Sequence, residues 1–139
     1  MTAVKHSTFT LERRYPVPPA RVFAAWADPA AKAGWFGADE HSLDFRVGGR
    51  ETNHGGDLTF AAEYHDIVED ERIVYGGTLS GPAGLATVSV TTVELVPDGA
   101  GTRLVLTEQG TFLDGHEEPE WRERGTGDWL DKLGSHLGG

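Results

Sequence analysis

The chain has 139 residues, a length that suits one domain spanning residues 1–139 rather than two domains. Its formal net charge of −10 argues against binding to nucleic-acid phosphates or to an anionic membrane surface, because both need clustered lysine and arginine. The absence of cysteine excludes a disulfide framework and thiolate chemistry. No apolar run approaches the ~20 residues that span a bilayer, and residues 1–10 lack a secretory signal pattern. We therefore expect a cytoplasmic protein without membrane insertion.

The N-terminal part of the chain predicts one strand followed by two short helices. Residues 7–15 carry β-forming and aromatic side chains and predict a first strand. The prolines of residues 16–19 end that strand, and residues 20–27 have the apolar spacing of a short amphipathic helix. Asp28 and Pro29 then predict a helix N-cap and first helical position, so that a second brief helix ends near Gly34.

The middle of the chain predicts an antiparallel meander of six strands. They are joined by short turns rather than helices, which disfavours parallel βαβ units. Gly48-Gly49 predicts a two-residue hairpin between the first two of these strands. In the fifth, Val88 and Val90 alternate with Ser89, which indicates one covered face and one wetter face. The six predicted strands are residues 43–47, 50–53, 58–68, 72–79, 86–96 and 102–112.

The last segment of the chain predicts the helix that covers this sheet. Leu130, Leu133 and Leu137 recur at three- and four-residue spacing, which is typical of a buried helical stripe. Acidic residues cluster near Pro119, where the positive end of the helix dipole favours them. The fold class is therefore α+β, with a curved antiparallel sheet of about six or seven strands and a long C-terminal helix.

Five short motifs follow one another along the chain: residues 16–29, Trp35-Phe36-Gly37, and residues 63–75, 101–107 and 130–133. In this order they resemble the START-like SRPBCC superfamily, and most of all its group named after the activator of heat-shock-protein-90 ATPase. The resemblance covers about residues 7–137 and implies a helix-grip (START/Bet v 1-like) fold with a cavity between the long helix and the concave sheet.

One departure from the family pattern concerns the size of the cavity. The family often has Gly-Trp early in the final helix, where this chain has Gly125-Thr126. Either Trp121 or Trp129 fills the volume of the missing indole, or the pocket is larger than usual.

The candidate site residues are those that could face this cavity. Glu108 shares a strand face with Leu106, so it is either solvated near the mouth or buried and functional. For His65, cavity-lining and solvent-facing positions are equally open. Trp35 and Phe36 are candidates for a lid, and tyrosine hydroxyls could serve an otherwise apolar pocket. The full set is Trp35, Phe36, Phe60, Tyr64, His65, Tyr75, Leu106, Glu108, Phe112, Trp121, Thr126, Trp129 and Leu130.

The primary functional hypothesis is a protein that binds a small hydrophobic or aromatic molecule, as a monomer or homodimer. The histidines show no metal-binding spacing, so we expect neither metal nor cofactor. Two alternatives remain open. The first is a cyclase/aromatase- or hydrolase-like enzyme using Glu108, His65 or a tyrosine, although no acid–base pair stands out. The second is a chaperone-activator-like or stress-response interaction domain.

Overall fold

The computed structural model describes residues 2–138 and forms a seven-stranded antiparallel sheet with three helices in that part of the chain. The two short helices follow the first strand, and the long helix ends the chain, as predicted. In chain order the elements are β1 (Val4–Tyr15), α1 (Pro19–Ala27), α2 (Pro29–Trp35), β2 (Glu40–Leu43), β3 (Arg50–Gly55), β4 (Leu58–Val68), β5 (Arg72–Gly81), β6 (Gly84–Asp98), β7 (Gly101–Leu113) and α3 (Pro119–His136).

The strand order is β1-β7-β6-β5-β4-β3-β2, so β1 lies at one edge and pairs with the last strand. This pairing runs without interruption from Val4 opposite Leu113 to Tyr15 opposite Thr102. Helix α3 packs against β1 and α2 on the concave side. The predicted α+β helix-grip fold is thereby confirmed.

Helix α3 is held to the sheet by an apolar stripe and one buried hydrogen bond. Leu130, Leu133 and Leu137 are at most 5% exposed, which confirms the predicted stripe. The Tyr15 hydroxyl donates to the Leu130 carbonyl oxygen at 2.7 Å. Gly134 faces the Tyr15 ring, because a Cβ placed there would lie 3.3 Å from a ring carbon.

Strands β2 and β3 pair antiparallel as predicted, but Gly48-Gly49 does not form the predicted two-residue loop between them. Strand β2 ends at Leu43, which pairs with Glu51, so residues 44–49 form a longer connection. The two glycines instead dock this connection onto β4: Gly48 N donates to the Tyr64 carbonyl and Tyr64 N donates to the Gly49 carbonyl, at 2.8 and 3.0 Å. Gly49 N also donates to the Arg46 carbonyl at 2.8 Å, so the doublet closes a turn inside this connection as well as docking it onto β4.

Strand β6 alternates as predicted, but at these positions the polar side chains are buried and the valines are exposed. Ser89 and Thr91 are buried on the concave side, whereas Val88 and Val90 are 43% and 45% exposed on the convex side. Side chains along a strand alternate between its two faces. Val93 is buried in the core opposite Leu106, so Thr91 and Ser89, two and four residues earlier, lie on the same face as Val93. Two hydroxyls are thereby directed toward α3.

Candidate functional site

A cavity of about 310 Å³ opens between α3, the segment that follows α2, and strands β3 to β5; we call it the α3 cleft. Its walls are mainly aromatic and aliphatic, with a few polar side chains, which is the usual composition of a small-molecule site. Apolar lining comes from Phe36, Leu58, Phe60, Leu79, Trp121 and Trp129, and polar lining from Asn53, Glu117, Arg122, Thr126 and Lys132.

One wall of the α3 cleft is a group of edge-on aromatic contacts. The Phe36 ring lies 4.4 Å from the Trp129 ring and 5.6 Å from the Phe60 ring, centroid to centroid. Asn53 fixes the rim beside them, because its side-chain amide donates to the Phe36 carbonyl while its oxygen accepts from Ala38 N. The wall is therefore held in place by hydrogen bonds as well as by packing.

The α3 cleft continues into a second cavity of about 430 Å³, which we call the side cavity. The two share Leu58, Leu79, Glu117 and Trp121, and the side cavity is also lined by His116 and residues 81–84. Trp121 is 58% exposed at this junction. An elongated molecule could therefore lie along both cavities beneath one exposed indole.

Thr126 stands where the family often has tryptophan, and its side chain is buried, with Oγ1 donating to the Arg122 carbonyl at 2.8 Å. Gly125 and Thr126 both line the α3 cleft, and a Cβ built at Gly125 meets no atom within 4 Å. Trp121 and Trp129 stand at the cleft without closing it. A cavity of about 310 Å³ remains between these side chains.

A buried polar network forms the floor beside the α3 cleft, centred on Arg122. Its Nε donates to Glu108 Oε2 at 2.9 Å and its Nη2 donates to Ser89 Oγ at 3.0 Å. Thr91 Oγ1 donates to the other Glu108 oxygen at 2.9 Å. The Glu108 and Arg122 side chains are both 6% exposed. The inward-facing hydroxyls of Ser89 and Thr91 on β6 are thereby both hydrogen-bonded.

A second buried network joins α2 to strands β2, β3 and β4. Lys32 Nζ donates to Glu51 Oε1 at 2.7 Å and to the Tyr64 hydroxyl at 3.0 Å, and that hydroxyl donates to the same Glu51 oxygen. His41 Nε2 lies 2.7 Å from Glu51 Oε2. Burial by itself would raise the pKa of Glu51, but the charge of Lys32 and three hydrogen bonds hold that pKa below its ordinary value.

Aromatic rings surround the Lys32 ammonium. Nζ lies 4.7 Å from the Phe36 centroid, 5.0 Å from Trp26 and 5.7 Å from Tyr75. Cation–π attraction of this kind offsets part of the cost of removing an ammonium from water. Burial, and then the negative charge of Glu108, raise the pKa of Tyr75, so its hydroxyl stays neutral at ordinary pH. The Lys32 network thus contacts and supports Phe36, whose ring forms part of the wall of the α3 cleft.

The predicted site residues divide into three groups. Those that line the α3 cleft are Phe36, Phe60, Trp121, Thr126 and Trp129. Those buried in the core or the networks behind it are Trp35, Tyr64, Tyr75, Leu106, Glu108, Phe112 and Leu130. His65 alone among them lies on the convex face, 55% exposed and over Gly76, because it follows buried Tyr64 on β4 and successive side chains of a strand point to opposite faces. Its assignment to the cavity lining is corrected accordingly.

Sequence reasoning missed the charged residues that organise the site. Lys32 lies on an alanine-rich helix, where a solvent-exposed lysine is the usual interpretation, and its partner Glu51 lies on a strand whose register with β2 was predicted incorrectly. Arg122 lies between acidic neighbours at the start of α3. The available signal was its spacing: Arg122, Thr126 and Trp129 follow one another at four and three residues, and so share a helix face.

Within residues 2–138, no group of three or more histidine, aspartate or glutamate side chains could hold a metal ion. Over the same residues, no helix is long and apolar enough to cross a membrane.

Comparison with known proteins agrees with the fold and the motifs. A sequence model of the family described as Activator of Hsp90 ATPase homolog 1-like protein matches residues 16–138. A search of curated proteins finds no significant match.

Three solved structures illustrate the range of similarity. The Mll3558 protein from Rhizobium loti is 44% identical, with a TM-score of 0.88 over 96% of this chain and 99% of that one. A protein from Rhizobium leguminosarum is 37% identical, with a TM-score of 0.95 over 99% and 97%. PFC0360w, an HSP90 activator from Plasmodium falciparum, is 22% identical, with a TM-score of 0.70 over 94% and 96%, and this likeness concerns the fold alone. The chain belongs to the Activator of Hsp90 ATPase homolog 1-like protein family.

Proposed function

We propose that this protein binds a small, largely apolar or aromatic molecule in the α3 cleft. The observation that carries the proposal is an open cavity of about 310 Å³ walled by Phe36, Phe60 and Trp129 beside a buried polar floor. Small-molecule sites commonly measure about 300–1,000 Å³ and combine apolar walls with a few placed polar groups.

The polar floor supports binding better than acid–base catalysis. Both Glu108 oxygens accept hydrogen bonds, one from Arg122 and one from Thr91, and Glu108 lies behind Arg122 without lining the cleft. The Tyr64 hydroxyl donates to Glu51, and burial, followed by the charge of Glu51, raises its pKa. His65, the remaining acid–base candidate, faces away from the cleft.

The network is also costly for a protein that needs only stability. A buried ion pair can often be replaced by apolar side chains with no loss of stability, because desolvation offsets the attraction. Glu108 and Arg122 therefore fit a role in shaping and polarising the cleft, which a recognition site needs.

Calorimetric titration with 1-naphthylmethanol, an uncharged aromatic probe, tests the proposal. We expect saturable binding and a rise in melting temperature that grows with probe concentration. Trp129→Ala removes one wall of the cleft and should weaken binding by about tenfold, corresponding to about 1.4 kcal/mol. Val90→Ala is the matched control, because Val90 is exposed on the convex face and lines no part of the cleft.

The outcome that contradicts the proposal is equally specific. If neither this probe nor other neutral aromatic compounds of similar size bind, or if Trp129→Ala and Val90→Ala leave the affinity equally unchanged, the α3 cleft is not the binding site. Melting curves of both variants establish that each remains folded.

A further inference from the structure

Glu117 presents an unused carboxylate oxygen where the two cavities meet. It lies in the connection between β7 and α3, lines both the α3 cleft and the side cavity, and has a side chain 14% exposed. Its Oε1 accepts from Thr87 Oγ1 at 2.6 Å and from Arg122 Nη1 at 3.0 Å. From residues 2–138, no hydrogen bond reaches Oε2, and this oxygen is not among the fully buried polar atoms without a partner. It is therefore available to a guest.

The charges around Glu117 leave this junction negative. The Arg122 guanidinium forms ion pairs with two carboxylates, those of Glu108 and Glu117. Among the described residues that line both cavities, Glu117 is the one charged side chain, and its partner Arg122 is shared with Glu108. The other ionisable groups that line the two cavities are Lys132, on α3 in the α3 cleft only, and His116, in the side cavity only.

An exposed aromatic face accompanies this negative charge. Trp121 lines the same junction and is 58% exposed, so its ring can be reached by a bound molecule. The face of an indole attracts cations, and a carboxylate beside an aromatic surface is a common setting for an organic ammonium group. The formal net charge of −10 further favours the approach of cationic molecules.

We infer that the α3 cleft selects aromatic or apolar amines, with the ammonium group bound between Glu117 Oε2 and the Trp121 ring and the apolar body against Phe36 and Trp129. This inference rests on the proposed function and adds the chemical class of the ligand. The ammonium supplies the donor that Oε2 lacks and the charge that the junction lacks.

Three probes that share one ring system test the inference by calorimetric titration: 1-naphthylmethylamine, 1-naphthylmethanol and 1-naphthylacetate. At neutral pH they carry a positive charge, no charge and a negative charge. We expect the amine to bind about tenfold more tightly than the alcohol, corresponding to about 1.4 kcal/mol. High salt should reduce this preference, because the attraction is electrostatic.

Glu117→Gln provides the matched variant. The amide oxygen can still accept from Thr87 and Arg122, whereas the charge is lost, so we expect the preference for the amine over the alcohol to disappear. Glu120→Gln is the control, because it makes the same change in net charge at an exposed position in the first turn of α3 that lines neither cavity. It should keep the preference.

Each remaining outcome contradicts either the selection of amines alone or the proposed function as well. If the amine and the alcohol bind the wild-type protein equally, selection of amines is wrong while the proposed function stands. If the carboxylate binds most tightly, Arg122 or Lys132 governs recognition instead of Glu117, and the inference again fails. If no probe binds, the proposed function fails and the inference falls with it. The salt dependence for the wild-type protein gives a decision even if Glu117→Gln does not fold.

Discussion

Replacement of Lys32 by methionine removes the positive charge from a network that has no contact with water. The Lys32 and Glu51 side chains are 1% and 0% exposed, so the carboxylate left behind cannot be solvated without local opening. Removing one partner of a buried ion pair costs about 3–5 kcal/mol. Because Tyr64 still donates to Glu51 and His41 still contacts it, we expect Lys32→Met to lower the free energy of unfolding by about 3 kcal/mol, at the lower end of that range.

Urea unfolding followed by tryptophan fluorescence measures this loss. The double variant Lys32→Met/Glu51→Gln removes both charges and should recover most of the stability, which a double-mutant cycle expresses as a coupling energy. Lys5→Met is the matched control, because Lys5 forms an exposed pair with Glu118 and its loss should change stability little. A Lys32→Met variant as stable as Lys5→Met, or a double variant no more stable than the single one, would refute the reasoning.

The same variants predict how stability depends on pH. A carboxyl group whose pKa is lower in the folded state contributes stability that is present above its unfolded pKa and is lost as pH falls through its folded pKa. For Glu51 that window begins at its ordinary value of 4.5 and extends downward. We expect the wild-type protein to lose stability more steeply than Lys32→Met/Glu51→Gln over this window, as measured by urea unfolding at a series of acidic pH values.

Two further predictions concern the grip of α3 and the glycines. Tyr15→Phe removes the hydrogen bond to the Leu130 carbonyl and should lower the free energy of unfolding by about 1 kcal/mol, and a change within error in urea unfolding would show that this bond is unimportant. Gly49→Ala should be strongly destabilising, because its Cβ would lie 2.0 Å from the Asp44 carbonyl oxygen. Gly125 lies in the middle of α3, and a Cβ there would have no atom within 4 Å, so Gly125→Ala should raise the free energy of unfolding by about 0.5–1 kcal/mol. Equal melting temperatures for these two alanine variants would contradict the packing argument.

The fold could be predicted because its signals are local and repeat along the chain. Turn residues separate the strands, and the leucine stripe of α3 has a spacing that a helix alone brings onto one face. Strand pairing near the sheet edge was predicted less well. Gly48-Gly49 has the composition of a hairpin, but Gly48 N and the Gly49 carbonyl bond to Tyr64, fifteen residues or more farther along the chain, and no local pattern predicts those bonds.

The site could be predicted only for its aromatic part. Bulky rings in a cavity-forming fold are candidates for the lining wherever they occur, and Phe36, Phe60, Trp121 and Trp129 do line the α3 cleft. The charged residues of the site form ion pairs between positions that are distant in sequence. For example, Lys32 and Glu51 are brought together by the docking of α2 against β3.

Amino-acid sequence alone determined the class of fold, the order of its elements, and the aromatic character of the space beneath α3, since each follows from composition and periodicity within a single element. Tertiary structure decided which face of β6 points inward, where two ion-paired networks are buried, and that Glu117 keeps one carboxylate oxygen for a guest. These features depend on the angle at which α3 crosses the sheet and on the register of strands distant in sequence. Both are set by the simultaneous packing of many side chains, so no local pattern encodes them.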